Sequence, residues 1–253
     1  MNELFKNRKA LFAGVAVAAV CVAVALVLVS VLGSGSKKKA SPGGTTSTTT
    51  TQTTTGGVTK VPGAAATAAL FAGIPQRLNE LGNAKAGVTM VEFADLQCPY
   101  CRAYAVDALP TIVQKYVRTG KVKLVFSGMH FVGPDSEKGL RAVLAAGLQG
   151  KLWNALDLLY KSQGQENSGW VPAGLLRSVG ASIPGLDGAK MIADTSSTKV
   201  DNGLAASDQE ASQAGVNSTP TFFAGPTGAT LQHMNVTALT PAAFAPTLDA
   251  LLK

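Results

Sequence analysis

Two cysteines separated by two residues, Cys98-Pro99-Tyr100-Cys101, are the side chains whose type and spacing most directly imply chemistry. Such a pair closes a small disulfide ring or stands as two thiols, so it exchanges electrons with another protein's cysteines without any cofactor. Pro99 suits the first turn of a helix, where a missing N–H costs nothing. With Cys98 at or just before the start of that helix, its sulfur faces unpaired backbone N–H groups and the positive end of the macrodipole, and both favour thiolate over thiol. Thiols in such motifs fall from a pKa of about 8.5 to somewhere between roughly 3.5 and 7. A stabilised thiolate makes the disulfide form the better oxidant, so Pro99 and Tyr100 bear on direction as well as rate.

The pair has other readings. A zinc half-site needs two further ligands, and the two histidines, His130 and His233, stand far outside the three-to-five-residue spacing of finger-type sites. They are read as incidental, and no metal is expected. An inert structural disulfide remains open, although so small a ring removes little entropy from the unfolded chain.

The elements that must position the cysteines are legible around them. Val88 to Ala94 reads as a buried strand leading into the motif. Beyond it, Ala103 to Val117 puts Ala105, Leu109, Ile112, Val113 and Tyr116 on one side of a helix, kinked near Pro110 and stopped by Gly120. Lys121 to Phe126 is a second strand, and strand, helix and strand in close succession predict a parallel crossover. Ser136 to about Ala214 reads as mostly helical. Strand character returns at Thr221 to Ala224, with a Gly225-Pro226-Thr227-Gly228 turn and Ala229 to His233 completing a hairpin; Pro241 to Leu252 is a closing helix. Upstream, Leu70, Phe71, Ile74, Leu78 and Leu81 recur at roughly helical spacing, broken near Pro75. The sum is an α/β domain: a mixed sheet with a long helical insertion. Trp153 and Trp170 are expected as packing residues, and Asp95 as a turn or capping residue.

The first 60 residues differ in kind. Ala10 to Leu32 is an uncharged apolar run of roughly 34 Å as a helix, enough to cross a bilayer core. A cleaved signal peptide is the alternative, but its apolar region is usually about 7 to 15 residues. The run is read as a single transmembrane helix after a short tail, residues 1–9, with Cys21 a buried membrane thiol. Residues 33–60 form a Ser/Thr/Gly-rich stretch expected to be a disordered linker, reaching on the order of 30 Å. Residues 61–253 form one domain. The formal net charge of +7 does not point to nucleic acid. It belongs almost wholly to Lys6, Arg8, Lys9 and Lys37 to Lys39 beside the apolar run and to Lys60, where lipid headgroups are the natural neighbours. Basic residues on both sides give a tie under the positive-inside rule. A thiol-exchanging domain without other cysteines suits an oxidising compartment, so the C-terminal bulk is placed outside the cytoplasm at the cell membrane.

Four features together resemble the DsbA-like disulfide oxidoreductases of the thioredoxin fold. They are the strand entering Cys98-Pro99-Tyr100-Cys101; Glu92, six residues before Cys98; the helical stretch after Pro134; and Gly215-Val216-Asn217-Ser218-Thr219-Pro220-Thr221-Phe222, similar to the loop that bears the fold's cis-proline. The resemblance covers about residues 85–253 and implies a thioredoxin fold with an inserted helical domain over about 136–214. It implies that Cys98 is the attacked and attacking sulfur, that Cys101 resolves the mixed disulfide, and that a buried Glu92 relays the proton of Cys101. It further implies a cis Thr219–Pro220 bond, with the Thr219 backbone pairing to an extended substrate segment. The alternative for Glu92 is a surface carboxylate on an edge strand, and without the resemblance Pro220 reads as an ordinary strand-start proline.

The implied activity is disulfide donation to reduced or unfolded secreted proteins, with reoxidation by a membrane quinone-linked reoxidase of the DsbB or vitamin K epoxide reductase type. Isomerases of the family usually carry a dimerisation domain ahead of the redox domain; a linker in that place implies a monomeric oxidase. A reductase or isomerase is the alternative within the class, and a binding module with a vestigial cysteine pair the alternative outside it.

Overall fold

The computed structural model describes residues 54–55 and 58–253; the expected transmembrane helix and most of the expected linker lie outside them. Among the described residues no helix is long and apolar enough to cross a membrane. Within the stretch expected as linker, β1 (Thr54–Thr55) pairs antiparallel with β2 (Val58–Thr59). The chain is then fastened where Val61 N–H donates to Ser182 Oγ at 2.8 Å.

The first helix, α1 (Ala64–Phe71), is followed by two-residue strands β3 (Gln76–Arg77) and β4 (Glu80–Leu81), so the apolar spacing through Leu81 is not one helical face. Gly73 at φ 72° and Pro75 end the helix, and Leu78 stands at the hairpin tip with φ 52°, half exposed. Leu81 instead opposes Leu124 in the sheet and is fully buried. Next comes β5 (Val88–Asp95), buried throughout. From it the chain enters α2 (Pro99–Ala103), a π turn over Tyr104–Ala108, α3 (Leu109–Ile112) and a second π turn over Val113–Val117.

Pro110 accounts for the first irregularity, since its ring has no N–H to donate and crowds the carbonyl four residues back. The helix widens there, and Leu109 N–H reaches five residues back to Tyr104 O. Ala105, Leu109, Ile112, Val113 and Tyr116 are all buried, as their spacing predicts. Gly120, at φ 74°, turns the chain out of the helix into β6 (Val122–Met129).

Helices α4 (Pro134–Gly147), α5 (Leu152–Lys161), α6 (Ala173–Ser182), α7 (Gly188–Asp194) and α8 (Thr198–Ala214) fill the expected helical stretch. Gly215, at φ 68°, caps α8 and releases the chain into the loop before β7 (Thr221–Pro226), which turns back into the two-residue β8 (Gln232–His233); α9 (Pro241–Leu251) closes the chain.

Six strands form one sheet in the order β3-β4-β6-β5-β7-β8. The β5–β6 pair is parallel, with the cysteine-bearing helix as its crossover, and β5–β7 is antiparallel. Alternation along β5 divides the core. Val88, Met90 and Ala94 pack with the crossover helix, α5 and α9, while Val91 and Phe93 pack with Val125, Phe223 and Ala211 on the other face. Trp153 is buried against Phe126 and its indole N–H donates to the Asn79 carbonyl at 3.2 Å; Trp170 is half-buried.

Candidate redox active site

Cys98 is the N-cap of α2 and Pro99 its first residue, so the cysteine pair spans the start of the crossover helix. The Cys101 amide donates to Cys98 Sγ at 3.4 Å, and the Cys98 thiol donates to the Thr219 carbonyl at 3.3 Å. Cys98 and Cys101 are both free thiols, the second fully enclosed. Tyr100 is 66% exposed, so the motif offers its tyrosine to solvent while hiding the second sulfur.

The two thiols have opposite acidities. Hydrogen bonding from Cys101 outweighs partial burial and, with help from Thr219 and the Cys101 and Tyr100 amides, lowers Cys98 from 9.0 to about 6. Cys101 is pushed well above 9.0, first by burial and then by Cys98 and Glu92. Near neutral pH the pair therefore carries one thiolate on the outer sulfur and one proton on the inner.

Glu92 stands on β5 between β6 and β7, which removes the edge-strand reading. It is 3% exposed, and burial, with the Cys98 charge behind it, raises its carboxyl from 4.5 to about 8. The Thr219–Pro220 peptide, on the loop between α8 and β7, is cis, and the Thr219 carbonyl lies against Cys98. Beside that loop runs a cavity of about 290 Å³ lined by Tyr100, Pro220, Phe222, His233, Met234 and Leu239.

Asp95 has the turn role expected of it and more. Its carboxylate accepts from Gln97 N–H at 2.8 Å, Ser136 Oγ at 2.5 Å and Val132 N–H at 3.2 Å, while its carbonyl accepts from Cys98 N–H at 3.0 Å. Gln163, just past α5, donates to the carbonyls of Leu96 at 2.7 Å and Cys98 at 3.1 Å. The helical insertion thus braces the backbone that presents Cys98. Nothing local in the sequence marks Gln163, a glutamine 65 residues away, as a clamp. His233, expected as incidental, lines the cavity with Tyr100 and packs edge-on against Phe223. His130 lies elsewhere, bridged to Asp208 at 3.2 Å.

A parallel crossover whose helix opens on a Cys-x-x-Cys pair, with a cis-proline loop against the outer sulfur, defines the class of thioredoxin-fold thiol–disulfide oxidoreductases. Comparison with known proteins agrees. The thioredoxin family model matches residues 77–240. The probable disulfide bond formation protein D of Bacillus cereus is 32% identical over 146 residues, 56% of this chain and 68% of that one. Oxidised BdbD from Bacillus subtilis superposes with a TM-score of 0.60 at 20% identity, covering 71% of this chain and 97% of that one. Alpha-DsbA1 from Wolbachia pipientis gives 0.59 at 21% identity, covering 69% and 90%. These two structures share its fold. The chain belongs to the thioredoxin family and is a DsbA-like thiol–disulfide oxidoreductase.

Proposed function

We propose that this protein is an oxidase, passing a Cys98–Cys101 disulfide to reduced or unfolded proteins outside the cytoplasm. A substrate thiolate attacks Cys98 Sγ, the Cys98–Cys101 bond breaks, and Cys101 departs as the leaving sulfur, taking the Glu92 proton. A second substrate thiolate then attacks the substrate sulfur of the mixed disulfide and releases Cys98 as a thiolate. The single feature that carries the direction is the lowered pKa of Cys98, about 6, because a sulfur stable as an anion is a good leaving group and its disulfide a strong oxidant. The Thr219 backbone pairs with the substrate segment, and the cavity beside Tyr100 and His233 receives one of its side chains.

The apolar run over 10–32 supports a single membrane anchor joined to the domain by the Ser/Thr/Gly-rich stretch, and thiol exchange, which suits an oxidising compartment, supports the outer side for the domain. That arrangement suits reoxidation by a quinone-linked membrane enzyme. The test is direct: oxidised full-length protein is added to a reduced, denatured disulfide-containing enzyme. Recovery of the enzyme's activity is expected, and loss of that recovery in Cys98→Ala; a Cys98→Ala variant as active as the parent overturns the proposal.

A further inference from the structure

Asp95 is fully buried, and among the described residues its carboxylate is answered by hydrogen bonds alone. A buried carboxylate without a cation costs stability, and three residues ahead of Cys98 its charge opposes a second anion on the sulfur. A turn alone does not require it, since asparagine makes the same side-chain bond to the backbone two residues on. What asparagine lacks is a second acceptor oxygen. Oδ1 of Asp95 takes the Gln97 N–H at 2.8 Å and the Ser136 hydroxyl at 2.5 Å, while Oδ2 takes the Val132 N–H at 3.2 Å. Donors from the turn itself, the first turn of α4 and the loop after β6 thus meet on one side chain, and only a carboxylate accepts at both oxygens.

The backbone of the same residue reaches both cysteines. Its carbonyl accepts from the Cys98 N–H at 3.0 Å and from the Tyr160 hydroxyl at 3.4 Å, and its amide favours a thiolate on Cys101. Gln97, also buried, adds a second tie, donating to Ser136 Oγ at 3.1 Å and Asn167 Oδ1 at 3.2 Å. The turn over residues 95–98 is therefore fastened to the helical insertion at its side chains while its main chain sets the start of α2. Hydrogen bonds weaken steeply with misalignment, so a tilt of this turn weakens the bond from the Cys101 amide to Cys98 Sγ.

We propose that Asp95 is a positioning residue for the redox pair: its carboxylate fastens the turn over 95–98 to the helical insertion and so keeps Cys98 Sγ aligned with the Cys101 amide, which holds the outer sulfur as a thiolate. This rests on the reading of Cys98 as the attacking sulfur. The titratable groups that face Cys98 are Cys101 from α2, Glu92 from β5 and Tyr160 from α5, and the cis-proline loop contributes the Thr219 carbonyl. The Asp95 carboxylate bonds none of them, so its hold on Cys98 passes through the backbone. Position and charge then have opposite signs. Loss of position raises the pKa of Cys98, whereas loss of a neighbouring negative charge lowers it.

The test is alkylation of the reduced full-length protein by iodoacetamide from about pH 4 to 9, with the label on Cys98 read by peptide mass, for the parent, Asp95→Asn, Ser136→Ala and Asp157→Asn. Asp157 is the matched control, a buried carboxylate on α5 that bonds Thr67 and Lys161 and no residue of the turn. Asp95→Asn keeps one acceptor oxygen and sets an amide against the Val132 N–H. Its Cys98 midpoint should rise by about one pH unit, tenfold in the ionisation constant. Ser136→Ala, which leaves the charge in place, should raise the midpoint by less. Asp157→Asn should lower the urea midpoint of unfolding yet titrate as the parent. A lower midpoint in Asp95→Asn, an unchanged one, or an equal rise in Asp157→Asn overturns the inference while the reading of Cys98 stands. Should Asp95→Asn fail to fold, Ser136→Ala decides, and an unchanged midpoint there overturns it. A parent that titrates near 8.5 removes both.

Discussion

The amide of Cys101 points at the sulfur of Cys98 at 3.4 Å, while the sulfur of Cys101 is itself sealed from solvent. One residue thus lends its backbone to hold a negative charge on its neighbour and keeps its own proton. The relationship follows from four consecutive residues at the beginning of a helix, with Pro99 at the position where no N–H is needed.

The outer thiol should titrate near pH 6. In a Cys101→Ala variant, the rate of iodoacetamide alkylation should rise with pH to a midpoint near 6, against about 8.5 for a free cysteine. Thr219→Val, which removes a contribution holding the pKa down, should move that midpoint up. The folded pKa lies below the unfolded value of 9.0, so the reduced fold gains stability from this thiolate. That gain is complete above pH 9 and is lost as pH falls through 6.

Glu92 works the other way. Its folded pKa of about 8 lies above the unfolded 4.5, so between these values the fold retains a proton that the unfolded chain releases. The stability favouring the protonated form is present below pH 4.5 and is lost as pH rises through 8. Urea unfolding of the reduced protein should find Glu92→Gln indistinguishable from the parent at pH 4 and more stable by up to about 3 kcal/mol at pH 7.

The clamp from the helical insertion is separable from the chemistry. Gln163→Leu removes the donor to the Leu96 and Cys98 carbonyls, leaving two partly buried acceptors unserved. A loss of about 1–3 kcal/mol in unfolding free energy is expected, measured by the urea midpoint at unchanged slope.

How much of this was readable beforehand differs by element. The strand into the cysteines, the crossover helix, its glycine stop and the parallel return strand are encoded locally, by apolar spacing and by Pro110 and Gly120. The hairpin after Thr221 is likewise marked by its Gly-Pro-Thr-Gly turn. The short β3–β4 hairpin is hidden because Leu78 and Leu81 continue a helical spacing by coincidence; only the pairing of β4 with β6 decides that Leu81 turns inward. Central placement of Glu92 depends on strand order, which no local pattern contains. Gln163 and His233 act across long sequence separations, where side-chain type alone carries little information.

The most direct test of the central claim is the reduction potential of the Cys98–Cys101 pair, obtained by equilibrating the protein with graded mixtures of reduced and oxidised glutathione. A stabilised Cys98 thiolate predicts an oxidising couple, between about −180 and −120 mV. A value at or below about −230 mV, in the range of glutaredoxins and thioredoxin, would contradict the assignment of the protein as a disulfide donor.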